Sequence, residues 1–196
     1  MKRLLALGLG LSLLVGCSTL KQLAQMATLS KCEFRLVSVT GVSVAGVSLQ
    51  GKSDLSDINP LTFLKLQKVF STGTLPLDFT LNLEGRNPND SSAGMGHFAW
   101  ILDMDGNELT TGQLDKSFEI PANGGTAPIP LAVSLDLRKT LTGKNLDSML
   151  NLALNVAGEG TKPTHLTLKL KPSVQVAGQD LDYPGYITLT QEFVGK

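Results

Sequence analysis

The chain has 196 residues, 42% of them hydrophobic and 17% charged, with 17 basic against 17 acidic side chains. That apolar content excludes intrinsic disorder, which needs low hydrophobicity and high net charge. The absence of clustered Lys and Arg excludes a nucleic-acid binder, and no basic run suggests recruitment to anionic lipid. Twenty glycines and low charge favour β structure with many turns, and the length suits one domain that buries a core without disulfide staples.

Residues 1–16 carry an export signal. Lys2 and Arg3 form a short positive start, and Leu4 to Val15 is an apolar run too short to span a bilayer, which takes about 20 residues. The segment Leu14-Val15-Gly16-Cys17 resembles the bacterial lipobox: a Leu, a small or apolar residue, a Gly or Ala, then Cys. The resemblance implies diacylglycerol on the Cys17 sulfur, cleavage before Cys17 and acylation of the new amino group. Two or more acyl chains anchor stably where one is marginal. Ser18, in place of Asp after the Cys, implies by the same resemblance the outer membrane, with the protein facing the periplasm. Cleavage takes two of the 17 basic residues away and leaves 15 against 17 acidic, a net of −2. Cys32 is then without a disulfide partner and reads as a small buried hydrophobe, since no His or cationic setting lies nearby to activate it.

Residues 17–31 read as a lipidated tether, helical or flexible, in which Leu20, Leu23, Ala24 and Ala27 fall at helical spacing. The domain follows at 32–196. Phe34 to Val39 reads as a strand. Val42, Val44, Val47 and Leu49 alternate with a change of parity at Gly46, which reads as a bulge. Asn59-Pro60 starts a helix over 60–70, with Phe63, Leu66, Val69 and Phe70 on one face and Gly73 closing it. Leu75, Leu77, Phe79, Leu81 and Leu83 alternate with polar residues in a half-buried strand that ends in the turn cluster Gly85 to Asp90. Phe98, Trp100, Leu102 and Met104 form the next strand, and Asp105-Gly106 marks a hairpin. The return strand starts at Leu109 and continues through Leu114, Phe118 and Ile120, before Pro121 to Gly125 turns the chain. Ile129 to Leu137 alternates. Leu146, Met149, Leu150, Ala153 and Leu154 change the period to a second helix within 141–157, with Asn145 or Thr142 as cap. Leu166, Leu168 and Leu170, then Ile187, Leu189 and Phe193, complete the set. Eight or nine strands with two short helices and short turns give a mainly β, antiparallel sandwich.

The candidate chemical groups do not cluster. His97 and His165 each stand beside apolar residues and lack the grouped ligands a metal needs. Asp103, Asp105 and Asn107 begin like a calcium loop, but the Gly arrives too early, so a hairpin turn fits better. Asp54 and Asp57 precede a helix and suit capping. No Gly-x-Ser-x-Gly, His-Glu-x-x-His or phosphate-cradling loop occurs. The expectation is no catalytic residue, no metal site and no cofactor.

The string LPLDFTLNLEGRNPND at Leu75 to Asp90 resembles the group 2 late embryogenesis abundant (LEA type 2) proteins, which share the water stress and hypersensitive response (WHy) domain. Their signature is an alternating strand ending in Asn-Pro-Asn, here Asn87-Pro88-Asn89. The order continues with Phe98-Ala99-Trp100-Ile101-Leu102, Asp-Gly, Gly112-Gln113-Leu114, and Ile120-Pro121-Ala122-Asn123-Gly124. With the lipobox and helices, the chain is similar to the bacterial lipoprotein branch. The resemblance covers about residues 33–194. It implies an immunoglobulin/fibronectin-III-like β-sandwich, a link to desiccation or other stress, and no enzymatic activity. The motif itself reads as structural, because Pro lacks an N–H and Asn side chains bond their own backbone in turns. These readings combine as a membrane-anchored, non-catalytic lipoprotein that acts by binding a protein or lipid partner or through envelope contacts. The alternative is a lipid or small apolar-ligand binding or transfer protein, with a cavity between the sandwich and its two apolar helices.

Overall fold

The computed structural model describes residues 20–21, 23–52, 55–142, 146–160, 164–176 and 179–193. Its strands are β1 (Glu33–Val44), β2 (Val47–Ser48), β3 (Pro76–Asn87), β4 (Ala93–Met95), β5 (His97–Met104), β6 (Asn107–Leu114), β7 (Phe118–Ile120), β8 (Gly125–Asp136), β9 (Thr164–Val176), β10 (Gln179–Asp182) and β11 (Ile187–Phe193). The helices are α1 over 23–29, α2 (Pro60–Thr72), the single turn α3 (Leu137–Thr140) and α4 (Leu146–Val156).

Alternation builds the two layers. In the first sheet, ordered β2-β1-β3-β8, the cross-strand pairs Leu77–Leu135, Phe79–Val133, Leu81–Leu131 and Leu83–Ile129 turn one face inward. All eight side chains are buried. The residues between them, such as Asp78, Thr80 and Asn82, face outward, so a one-residue slip would turn a leucine-rich stripe into water. The second sheet has β9 at its centre, with β5 and then β6 on one side. On the other side the early part of β9 pairs with β11 and its late part with β10. Its inner face supplies Phe98, Trp100, Leu102, Leu168 and Leu170. Every ladder is antiparallel. The fold is the antiparallel sandwich that the periodicity predicts.

β8 bonds to β3 alone and carries Pro128 and Pro130, which a central strand could not take because each removes a ladder donor.

Helix α2 forms between its two signals. The Asn59 side chain accepts from the Thr62 N–H at 2.9 Å, Pro60 supplies the first helical φ, and Gly73 ends the helix at φ 109°. Leu66 is buried, with Phe63, Val69 and Phe70 packed on the core. Helix α4 buries Leu146, Met149, Leu150, Ala153, Leu154 and Val156. Its C-terminus closes with Gly158 at φ 72°, Gly158 N–H on Asn155 O at 3.0 Å and Glu159 N–H on Leu154 O at 3.0 Å, the paired bonds of a Schellman motif. The proposed cap Asn145 lies outside the described residues.

Three local readings change. The parity change near Gly46 is a hairpin turn and not a bulge: Ala45 (φ 48°) and Gly46 (φ 77°) are the two left-handed centres that join β1 to β2. The register of β1 against β3 shifts instead between Leu36 and Ser38 and between Thr40 and Ser43, with Gly41 at φ 67° in the second shift. The run from Leu114 to Ile120 does not continue one strand. The polar residues Asp115, Lys116 and Ser117 break it, and β7 leaves the second sheet to pair with β4. The turn α3 is additional, capped by Asp136, whose Oδ1 accepts from Arg138 N–H at 3.1 Å and Leu75 N–H at 2.9 Å.

Candidate functional site

Cys17, with the export signal and lipobox, lies outside the described residues. The chain enters the described region through α1, which packs on the domain: Leu29 is fully buried in the core and Met26 nearly so. Gln25 Nε2 donates to Ser92 Oγ at 3.2 Å.

The Asn-Pro-Asn motif sits under this helix, at the end of β3. Asn87 pairs with Gly125 and has no exposed surface. Its side-chain NH₂ donates to Ser91 O at 2.9 Å and to Ile120 O at 3.1 Å. Its Oδ1 accepts from the Asn89 backbone N–H at 3.0 Å and from Asn89 Nδ2 at 2.7 Å. A side-chain amide has two donors and one two-lone-pair oxygen, so all of its capacity is used inside the fold. The backbone adds Gly124 N–H on Asn87 O and Asn123 N–H on Asn89 O, both at 2.7 Å. Asn123 (φ 58°) and Gly124 (φ 83°) make the tight turn that brings these donors round. Asn89 Nδ2 also reaches Thr28 O at 3.5 Å, tying the motif to α1. Chemically, this arrangement crosslinks three segments: α1, the 87–92 turn and the 120–125 turn. The Ile120 and Thr28 contacts are long-range, and no signal in the motif itself points to them.

The remaining sequence candidates are dispersed. His97 and His165 face positions at opposite ends of β9: His97 pairs with Ser173, whereas His165 lies in β9 beyond the Met104–Leu166 pair. Eight strand residues separate these positions, roughly 27 Å at about 3.3 Å per residue. Each imidazole neighbours one carboxylate at 3.6 Å, Asp180 for His97 and Asp105 for His165. Asp105 (φ 49°) and Gly106 (φ 79°) form the predicted hairpin, and Asp105 Oδ1 accepts from the His165 backbone N–H at 2.9 Å. Asp103 is ion-paired to Lys169 at 2.7 Å, and Asp182 to Lys171 at 2.9 Å. In each case the carboxylate, chiefly through its hydrogen bond, holds the ammonium above the usual lysine range. Among the described residues no three His, Cys, Asp or Glu side chains converge as a metal site. Asp54 lies outside the described residues.

On the first sheet, Glu33–Arg86 (2.9 Å) and Arg35–Glu84 (2.7 Å) are exposed cross-strand pairs around a shallow 240 Å³ depression beside Phe34. The apolar faces of α2 and α4 are packed against the sandwich core.

Fold and site together define an antiparallel β-sandwich with a hydrogen-bonded Asn-Pro-Asn turn at one end. No protein-family model matches the chain. No curated protein matches it. Among solved structures it is similar to a protein from Archaeoglobus fulgidus, at 12% identity and TM-score 0.37, over 81% of this chain and 98% of that one. It is similar to AT1g01470 from Arabidopsis thaliana, at 12% identity and TM-score 0.36, over 82% of each chain. It is also similar to a candidate late embryogenesis abundant (LEA) protein, At2g46140.1, at 14% identity and TM-score 0.34, over 86% of this chain and 71% of that one.

Proposed function

We propose that this protein is a lipid-anchored, non-catalytic domain of the bacterial cell envelope, held at the outer membrane through Cys17 and facing the periplasm. The observation that carries the reading is the sequence Leu14-Val15-Gly16-Cys17, which closes an export signal a few residues ahead of a folded sandwich. Each buried acyl CH₂ contributes about 0.8 kcal/mol, so two or three chains on Cys17 hold the domain at the membrane without a spanning helix.

The sandwich is an LEA type 2 (WHy) domain of the lipoprotein branch, associated with desiccation or related stress, and it works by contact. Asn87, Pro88 and Asn89 serve the fold, because the Asn87 amide is saturated by the chain itself. The separation of His97 from His165 and the pairing of the nearby carboxylates support a role without catalysis.

Intact mass of the protein extracted gently from its native membrane tests this. The expected species is the chain from Cys17 plus acyl groups, free of other stoichiometric lipid. An unacylated chain would overturn the anchor, and a stoichiometric second lipid would replace the contact role with lipid carriage.

A further inference from the structure

The tight turn that closes on the Asn-Pro-Asn motif holds a reactive pair that the anchored role does not use. Asn123-Gly124 is the single Asn-Gly pair of the chain; every other asparagine is followed by Pro, Asp, Glu, Leu or Val. A backbone nitrogen attacks the side-chain carbonyl carbon of the asparagine before it fastest where no side chain shields that nitrogen, and glycine has none. The Asn123 side chain is exposed and has no hydrogen-bond partner among the described residues, so nothing restrains its amide.

The fold restrains the nucleophile instead. Gly124 N–H donates to the carbonyl of the buried Asn87 at 2.7 Å, and Asn123 N–H donates to Asn89 O at 2.7 Å. Gly125 N–H closes the turn on Ala122 O at 3.2 Å, with Asn123 at φ 58° and Gly124 at φ 83°. Attack needs the Gly124 nitrogen to give its proton to water or hydroxide and to swing over the Asn123 Cγ. While the turn is closed, a carbonyl that is not a base holds that proton, and both central residues are fixed in the left-handed region. The Asn87 side-chain amide keeps the turn in place through Ile120 O. Local opening of the turn breaks these bonds together and frees both motions.

We propose that Asn123 is a self-modification site, held closed by the Asn-Pro-Asn turn and released when that turn opens. In the open turn the Gly124 nitrogen bonds to the Asn123 Cγ. The Cγ–Nδ2 bond breaks, and ammonia leaves with the proton that Gly124 gives up. Water, the sole co-reactant, then adds across one of the two carbonyl–nitrogen bonds of the succinimide ring and yields aspartate or isoaspartate. Aspartate keeps the backbone intact and can close the turn again, because the side chain at 123 is exposed. Isoaspartate adds a methylene to the main chain between 123 and 124. Gly124 N–H then no longer meets Asn87 O in register with the Gly125–Asn87 pair that starts β8. The reaction records an opening of the turn, and its isoaspartate product bars reversal.

Peptide mapping by mass spectrometry tests this on the full chain in detergent, incubated at pH 8 and 37 °C in buffer and in unfolding urea. In urea, aspartate and isoaspartate should appear at 123 before any other asparagine reacts. The rate there should be at least about tenfold higher than in buffer, since a closed turn reacts only through its open fraction. Asn87→Ala should raise the rate in buffer several-fold. Asn89→Ala, which deletes only the Nδ2 contacts to Asn87 Oδ1 and Thr28 O, should do the same and serves if Asn87→Ala does not fold. The isoaspartate chain should unfold at lower urea than Asn123→Asp. The proposal is overturned if native and unfolded chains react at one rate, if another asparagine reacts first in urea, if folded variants react no faster than the parent, or if the isoaspartate chain matches Asn123→Asp in stability.

Discussion

The Trp100 indole lies directly beneath Gly112, its partner in the neighbouring strand, so closely that a methyl group added at Gly112 would stand 2.6 Å from Cε2. The first sheet repeats the device: Phe34 faces Gly85, and a methyl there would stand 3.1 Å from Phe34 Cε1 and 2.6 Å from Ile120 Cδ1. In both sheets an aromatic side chain covers the strip that a glycine leaves bare, which pins register as well as filling space. Gly112→Ala is therefore an overpacking change. It should cost about 1–3 kcal/mol, read as a lower urea midpoint with unchanged slope.

Asn87 gives a sharper test of what the Asn-Pro-Asn turn does. Asn87→Ala strands the Ser91 and Ile120 carbonyls and the Asn89 N–H, and each unsatisfied buried group costs about 1–3 kcal/mol. Asn87→Asp keeps the acceptor for Asn89 but sets a carboxylate against those two carbonyls. Burial and the missing donor then raise its folded pKa above the unfolded value, so the unfolded state holds fewer protons in that window and stability falls as pH rises. Urea unfolding at pH 4 and pH 7 should show Asn87→Asp closer to the parent protein at pH 4. A variant equally stable at both would show that the amide donors are dispensable.

Helix α1 should behave as part of the domain. Leu29→Ala removes a fully buried side chain, with an expected loss of about 2–5 kcal/mol. It should also expose Lys31 to trypsin under conditions where the parent chain resists cleavage there. Unchanged stability and cleavage would mean that α1 contributes nothing to the fold.

Cys32 lies half-buried at the end of α1, with Sγ donating to Thr28 O at 3.7 Å. Burial pushes the thiol up from its ordinary range. Little thiolate is then present at pH 8, and the thiolate is the reactive form. In the full chain carrying Cys17→Ser, Cys32 should react with iodoacetamide several-fold more slowly than in urea-unfolded protein, with the rate still climbing above pH 9.

Much of this architecture is legible in the sequence where one period runs undisturbed. Leu77 to Leu83 and Ile129 to Leu135 alternate cleanly because each strand has one dry and one wet face. Asn59-Pro60 and Gly73 bracket α2 because a cap needs an oxygen acceptor, a fixed φ and a left-handed exit. What escapes is set by tertiary context. Ala45 at positive φ carries no local mark, so a turn looks like a bulge. Phe118 and Ile120 keep the register of Leu114 yet serve another sheet, because β4 offers them a partner that no neighbouring residue reveals.

The central claim is the anchor, and one substitution addresses it. Cys17→Ala removes the acceptor for the acyl chains and leaves the residues of the sandwich untouched. Expressed in the native host and fractionated, this variant should be folded and recovered in the soluble envelope fraction, while the parent chain stays with the membrane. Retention of Cys17→Ala on the membrane would contradict lipid anchoring and with it the role proposed here.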